Sequence, residues 1–145
     1  MKVKITEQGW GGHFICANRC NFRRNTLVEY GEKRIVVSTV GNMSSSGGDK
    51  FDKQIGANRY YETMVFWAKW EKPYWEADVN KQVDLESDWA IGELEFETDL
   101  KANKMHENVV KEISDLIKVI NEPENDFCPC GNLKADESDV CKECL

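Results

Sequence analysis

Arg24-Asn25-Thr26-Leu27-Val28-Glu29-Tyr30, then Gly31-Glu32, then Lys33-Arg34-Ile35-Val36-Val37-Ser38-Thr39-Val40 is the stretch that decides the fold class. Both runs are rich in β-branched and aromatic residues, which suit a pleated backbone. The glycine that opens the two-residue connection fits a type II′ hairpin turn. A hairpin this early in the chain calls for further strands. Val3 and Ile5 alternate with Lys2, Lys4 and Thr6 as a short opening strand, and Arg59 to Trp70 is apolar on both faces, as a central strand is. Gly41 to Lys53, with its Ser44-Ser45-Ser46-Gly47-Gly48 run, reads as a mobile loop, and Lys72-Pro73 as a turn. Tyr74 to Glu86 has the cleanest period of two: Trp75, Ala77, Val79, Val83 and Leu85 are expected to face the core, and Glu76, Asp78, Asn80, Gln82, Asp84 and Glu86 to face away. A last short strand is expected around Glu93 to Glu97.

Helical spacing takes over next. Met105, Val109, Ile113, Leu116, Ile117 and Ile120 form one apolar stripe, Thr98 or Asp99 can cap it, and Pro123 ends it. These elements predict an α+β fold over residues 1–122, an antiparallel meander with one C-terminal helix packed on the sheet.

Residues 126–145 read as a separate tail. Cys128-Pro129-Cys130-Gly131 and Cys141-Lys142-Glu143-Cys144 offer four thiolates in two close pairs, the number that closes a tetrahedral zinc site. The tail resembles a pair of zinc-ribbon knuckles, except that the first pair is C-x-C where C-x-x-C is usual. A four-thiolate site is coordinatively closed, so the expected role of the zinc is structural, with partner docking as the functional reading of the tail. The alternative is four reduced cysteines without metal.

Charge is distributed unevenly. Residues 1–60 carry ten Lys/Arg against five Asp/Glu, and residues 61–145 carry nine against twenty-one, which together give the net charge of −7. A long nucleic acid would be repelled by the acidic part, so general DNA binding is not expected. A small anion, or a basic partner, is easier to accommodate. The sequence has no apolar run of membrane-spanning length and no signal-peptide pattern at Met1 to Thr6, which points to the cytoplasm with no membrane association. Six cysteines in such a compartment favour metal binding or free thiols over disulfides.

The densest chemistry lies in Gly9-Trp10-Gly11-Gly12-His13-Phe14-Ile15-Cys16-Ala17-Asn18-Arg19-Cys20-Asn21-Phe22-Arg23-Arg24-Asn25-Thr26. Gly11 and Gly12 let backbone amides approach a ligand, and the arginine fork grips a phosphate or carboxylate through two bonds. The candidate binding site is therefore Gly11, Gly12, His13, Arg19, Arg23, Arg24 and Arg59, with Tyr60 placed to stack. In an extended run Arg23 and Arg24 point to opposite faces, so only one of them suits a given pocket. Cys16 and Cys20 with His13 could ligate a metal, or Cys16 could be a nucleophile with His13 as base; the simpler reading makes both cysteines small buried hydrophobes. His106-Glu107 lacks the second histidine of a zinc-protease motif, and no phosphate loop is present.

The segments Gly9 to Cys16, Phe22 to Leu27, Ile35 to Gly41, Arg59-Tyr60-Tyr61-Glu62-Thr63-Met64 and Ser87-Asp88-Trp89-Ala90-Ile91 resemble a family of small uncharacterised proteins of bacterial and phage genomes. The resemblance covers about residues 1–120 and implies a context more than a mechanism. The leading expectation is a non-enzymatic phage or prophage accessory protein that blocks a host factor, as in counter-defence, or sequesters a small anionic ligand, with a nucleotide as the leading class. The rivals are a small nucleotide-processing enzyme built on Cys16 and His13, and an adaptor working through the zinc tail. A homo-oligomer is left open.

Overall fold

The computed structural model describes residues 1–9, 12–13, 17–43, 55, 59–83, 89–91 and 98–123. Strands β1 (Lys4–Gln8), β2 (Cys20–Tyr30), β3 (Lys33–Met43), β4 (Tyr61–Glu71) and β5 (Tyr74–Gln82) form an antiparallel meander in chain order. A short β6 (Trp89–Ile91) also pairs with β4. The opening hairpin follows from its turn: Gly31 has a φ of 61°, a conformation that disfavours any residue with a Cβ, and β2 and β3 then stay in register from Tyr30↔Lys33 to Arg23↔Val40. Both strands are almost wholly buried from residue 25 to 28 and 35 to 40, as their apolar composition requires. Helix α1 (Thr98–Leu116) lies on one face. No helix among the described residues is long and apolar enough to cross a membrane.

Period-two alternation, combined with the cross-strand register, assigns the faces. Toward the helix point Val28, Ile35 and Trp67 in one row, Thr26, Val37 and Val65 in the next, then Arg24, Thr39 and Thr63, and finally Phe22, Gly41 and Tyr61. Val109, Ile113 and Ile117 of the helix stripe pack on Val28, Ile35, Val37, Val65 and Trp67, with Leu116 and Ile120 at the margin. Each of these buried aliphatic side chains stabilises the fold by about 1.5–3 kcal/mol. At the other end of α1, the Tyr61 hydroxyl donates to Asp99 in the first helical turn; burial first, then the Asp99 carboxylate, pushes the phenol pKa up.

The opposite face carries Asn25, Leu27, Val36, Ser38, Val40, Glu62 and Phe66 and is concave. Its curvature is visible in one contact: Gln8 Nε2 on the first strand of the meander donates to the Trp75 carbonyl on the last, at 3.1 Å. The right-handed twist of the sheet, carried far enough, brings its two ends together in this way.

One expectation fails in part. The alternation of Tyr74 to Glu86 does not build a core face along its length: Val83 is buried, Trp75 and Ala77 are half-buried, and Val79 is exposed. A register shift is the cause, because Phe66 pairs with Gln82 while Ala68 pairs with Ala77, so the intervening residues leave the ladder. Leu85 and the strand expected at Glu93 to Glu97 lie outside the described residues; the strand that is seen here comes earlier, at Trp89–Ile91.

Candidate functional site

Gly12 and His13 return the chain to the concave face. A Cβ at Gly12 would sit 2.8 Å from Ala17 Cβ and 2.9 Å from Val40 Cγ1, so glycine is needed for this backbone to press onto β3. The single 3₁₀ turn Ala17–Arg19 then leads into β2, and Ala17, Cys20, Val40 and Ile55 form a small apolar cluster beneath it.

His13 is wedged beside that cluster. Its ring lies 5.8 Å from the Phe66 ring, its Nδ1 is 3.1 Å from Ser38 Oγ, and its Nε2 is 3.4 Å from Glu62 Oε1. Glu62 also accepts from Arg59 at 3.2 Å. The hydrogen bond from His13 lowers the Glu62 pKa against the opposing effect of burial, and Arg59 adds to the lowering, so Glu62 is an anion at neutral pH. A carboxylate only accepts, so Nε2 carries a proton. Ser38 Oγ then donates to Nδ1 when the ring holds one proton and accepts from it when the ring holds two. This hydroxyl, imidazole and carboxylate sequence is the order found in hydrolytic triads, but Ser38 is fully buried in the middle of a central strand. What the arrangement does is fasten the segment after Gly12 onto the sheet.

Arginines surround this anchor. Arg23 is exposed on the concave side of β2, in the same cross-strand row as Val40 and Glu62, about 10 Å from Glu62 by strand spacing. Arg19 is exposed at the entry to β2, and Arg59 is partly exposed beside Glu62. Of the expected site residues, His13, Arg19, Arg23 and Arg59 thus gather at one corner, with Gly12 as the close-packing point.

Three others do not join them in that way. Arg24 points to the helix side, as the alternation predicts, and is held by Glu7 at 2.9 Å, by Glu107 at 3.4 Å and by Asn103. Tyr60 is buried and packs with Tyr61 and Ala102, so it offers no open ring for stacking. Gly11 lies outside the described residues, as do Cys16 and the tail cysteines Cys128, Cys130, Cys141 and Cys144 with their expected zinc. Cys20 is buried in the apolar cluster, which is the plainer of the two readings of that residue. Among the described residues no group of three or more His, Cys, Asp or Glu is arranged around a metal position.

A second polar system escaped the sequence reading. His106, on the buried stripe of α1, is fully inaccessible; its Nε2 is 2.7 Å from Thr26 Oγ1 and its Nδ1 is 2.7 Å from Thr39 Oγ1, which is in turn 2.6 Å from Thr63 Oγ1. Thr26 donates to Glu7 Oε2 at 2.8 Å. Burial works to raise the Glu7 pKa, but the hydrogen bonds from Arg24 and Thr26 and the charge of Arg24 outweigh it and hold the carboxyl below its ordinary value. That anion fixes every proton downstream: Thr26 must donate to Glu7 and so accepts from His106 Nε2–H, Nδ1 accepts from Thr39, and Thr39 accepts from Thr63. Burial lowers the His106 pKa to about 4, assisted by Arg24, so the ring is neutral as this chain requires.

Signals for both systems were present. Ser38 and Thr39 are adjacent polar residues inside a valine run, so one had to be buried on each face and each needed a partner. His106 follows Ala102 by four residues and precedes Val109 by three, which sets it on the apolar stripe. Naming its partners required the register of three strands.

No family model, curated protein or solved structure matches the chain.

Proposed function

We propose that the protein is a non-enzymatic binding protein for a small anionic ligand, with a nucleotide as the leading class, acting at the corner formed by Arg19, Arg23 and Arg59 around His13. The observation that carries this reading is the division of the arginines. Arg24 and Arg34 are engaged by carboxylates on other parts of the surface, whereas Arg19, Arg23 and Arg59, the last paired with Glu62, are wholly or partly exposed around one end of the concave face. Guanidinium groups presented around one end of a rigid sheet suit the several oxygens of a phosphate ester. A catalytic use of His13 has less support, since Ser38 and Glu62 already flank both ring nitrogens.

Calorimetric titration of a nucleotide panel tests the proposal. Arg19→Ala, Arg23→Ala and Arg59→Ala should each weaken binding by about tenfold, a loss of roughly 1.4 kcal/mol, while Arg24→Ala leaves affinity unchanged. Equal affinity in the first three variants refutes the pocket, and turnover of the bound nucleotide refutes the non-enzymatic reading.

The same proposal includes a structural zinc at Cys128, Cys130, Cys141 and Cys144, with the tail as a docking module. It also includes a role as a phage or prophage accessory protein acting on a host factor; the support for these is the cysteine spacing and the family resemblance. One zinc per chain by elemental analysis, lost on Cys128→Ser, is the expected result.

A further inference from the structure

A second cleft lies at the far end of the sheet from the arginine corner, where β4 turns into β5. It has a volume of about 270 Å³, just below the range typical of drug-sized ligands, so it has room for a ligand of about one ring. Its aromatic surface is Trp70 and Trp75, with ring centroids 5.2 Å apart and planes inclined at 57°. Trp75 is fixed in place: the Arg34 guanidinium lies 4.3 Å over its ring, and Arg34 is itself held by Glu29 at 3.0 Å and by the Glu32 carbonyl at 3.3 Å. Trp70 is 53% exposed and leaves part of its indole surface open beside the cleft.

The rim decides the class of ligand. Among the described residues of the lining, three cations, Arg34, Lys69 and Lys81, are matched by three carboxylates, Glu32, Asp78 and Glu122, so their formal charges cancel. The cations also have partners, Lys69 in Glu71 at 3.6 Å and Lys81 in Glu122. A phosphate would meet repulsion from one half of the rim, and a quaternary ammonium would meet it from the other half. A neutral ligand whose groups both donate and accept can use the whole rim without breaking an ion pair. A sugar ring has that character: hydroxyls around its edge and a flat C–H face that packs on indole.

We infer that the cleft lined by Trp70 and Trp75 is a binding site for a neutral carbohydrate, separate from the proposed anion site. Tryptophan fluorescence and calorimetry of the full chain with cellotetraose, maltotetraose and tetra-N-acetylchitotetraose provide the test. Saturable binding of at least one, with a Kd in the millimolar range or tighter, is expected. It should be insensitive to added salt, about tenfold weaker in Trp70→Ala, largely kept in Trp70→Phe and unaffected by Arg23→Ala. Because Trp70 is half exposed, its replacement leaves the core intact, and unfolding of Trp70→Ala can be checked by circular dichroism. Failure of all three sugars to saturate, binding undiminished in a folded Trp70→Ala, or a nucleotide site abolished by Trp70→Ala would overturn the assignment.

Discussion

Acidification should weaken this protein through His106 before it does so through any described carboxylate. The imidazole is neutral in the folded state down to a pKa of about 4, against an ordinary value of 6.5 in the unfolded chain. A depressed folded pKa means that stability is complete above pH 6.5 and falls as the pH drops through that value toward 4, because only the unfolded chain takes up the proton. Linkage converts the two pKa values into a loss of about 2 kcal/mol by pH 5 and about 3 kcal/mol by pH 4, relative to pH 8. The groups facing the ring act in opposite directions, Arg24 lowering its pKa and Glu7 raising it, and the burial effect is larger than either. Urea denaturation of the wild type and His106→Gln at intervals from pH 8 to pH 4 measures the difference. The variant should be less stable at pH 8 but should decline less steeply between pH 6.5 and 5, and His13, present in both proteins, cancels. Glu7 has a lowered pKa, so its own loss comes below 4.5 and does not mask the histidine window. Parallel pH profiles for the two proteins would refute the reasoning.

Thr39→Val keeps the shape of the core but removes the proton that His106 Nδ1 accepts, and should cost about 1–3 kcal/mol in urea denaturation, with Thr39→Ser recovering most of it. Gly12→Ala forces a methyl group against Ala17 and Val40 and should destabilise by roughly 1–3 kcal/mol, with a shift of the His13 ring resonances that report its contact with Phe66. Ile113→Ala, at the centre of the helix stripe, should lower stability by about 2–5 kcal/mol without altering ligand titrations at either proposed site.

The meander and its helix were legible because each is written in a local period. Gly31 announces the hairpin, and Val109, Ile113 and Ile117 announce the face that covers it. The misreading of β5 came from the same source: alternation from Trp75 to Leu85, broken only at Lys81, does not specify a register shift, which depends on how β4 and β5 close around Val83. The candidate corner was half legible. Alternation separated Arg23 from Arg24 correctly, yet Ser38 and Glu62, which hold His13, lie 25 and 49 positions away from it, and nothing local ties them to that histidine. The partners of His106 were hidden for the same reason, since the buried ring is satisfied by Thr26 and Thr39 from two strands, with Thr63 of a third bonded to Thr39.

The ion pair at Glu7 has a consequence far from where it sits. Glu7 is on β1, at the margin of the sheet and largely open to water, while Thr63 lies deep on β4. Because the carboxylate can only receive, one marginal residue sets a single dipole orientation for four groups in succession, and the interior has no choice of its own. A Glu7→Gln exchange would supply an amide that can face either way, and the row of hydroxyls and imidazole would then have two opposite polarisations of comparable energy. The uniqueness of this core is thus a boundary condition imposed from its rim.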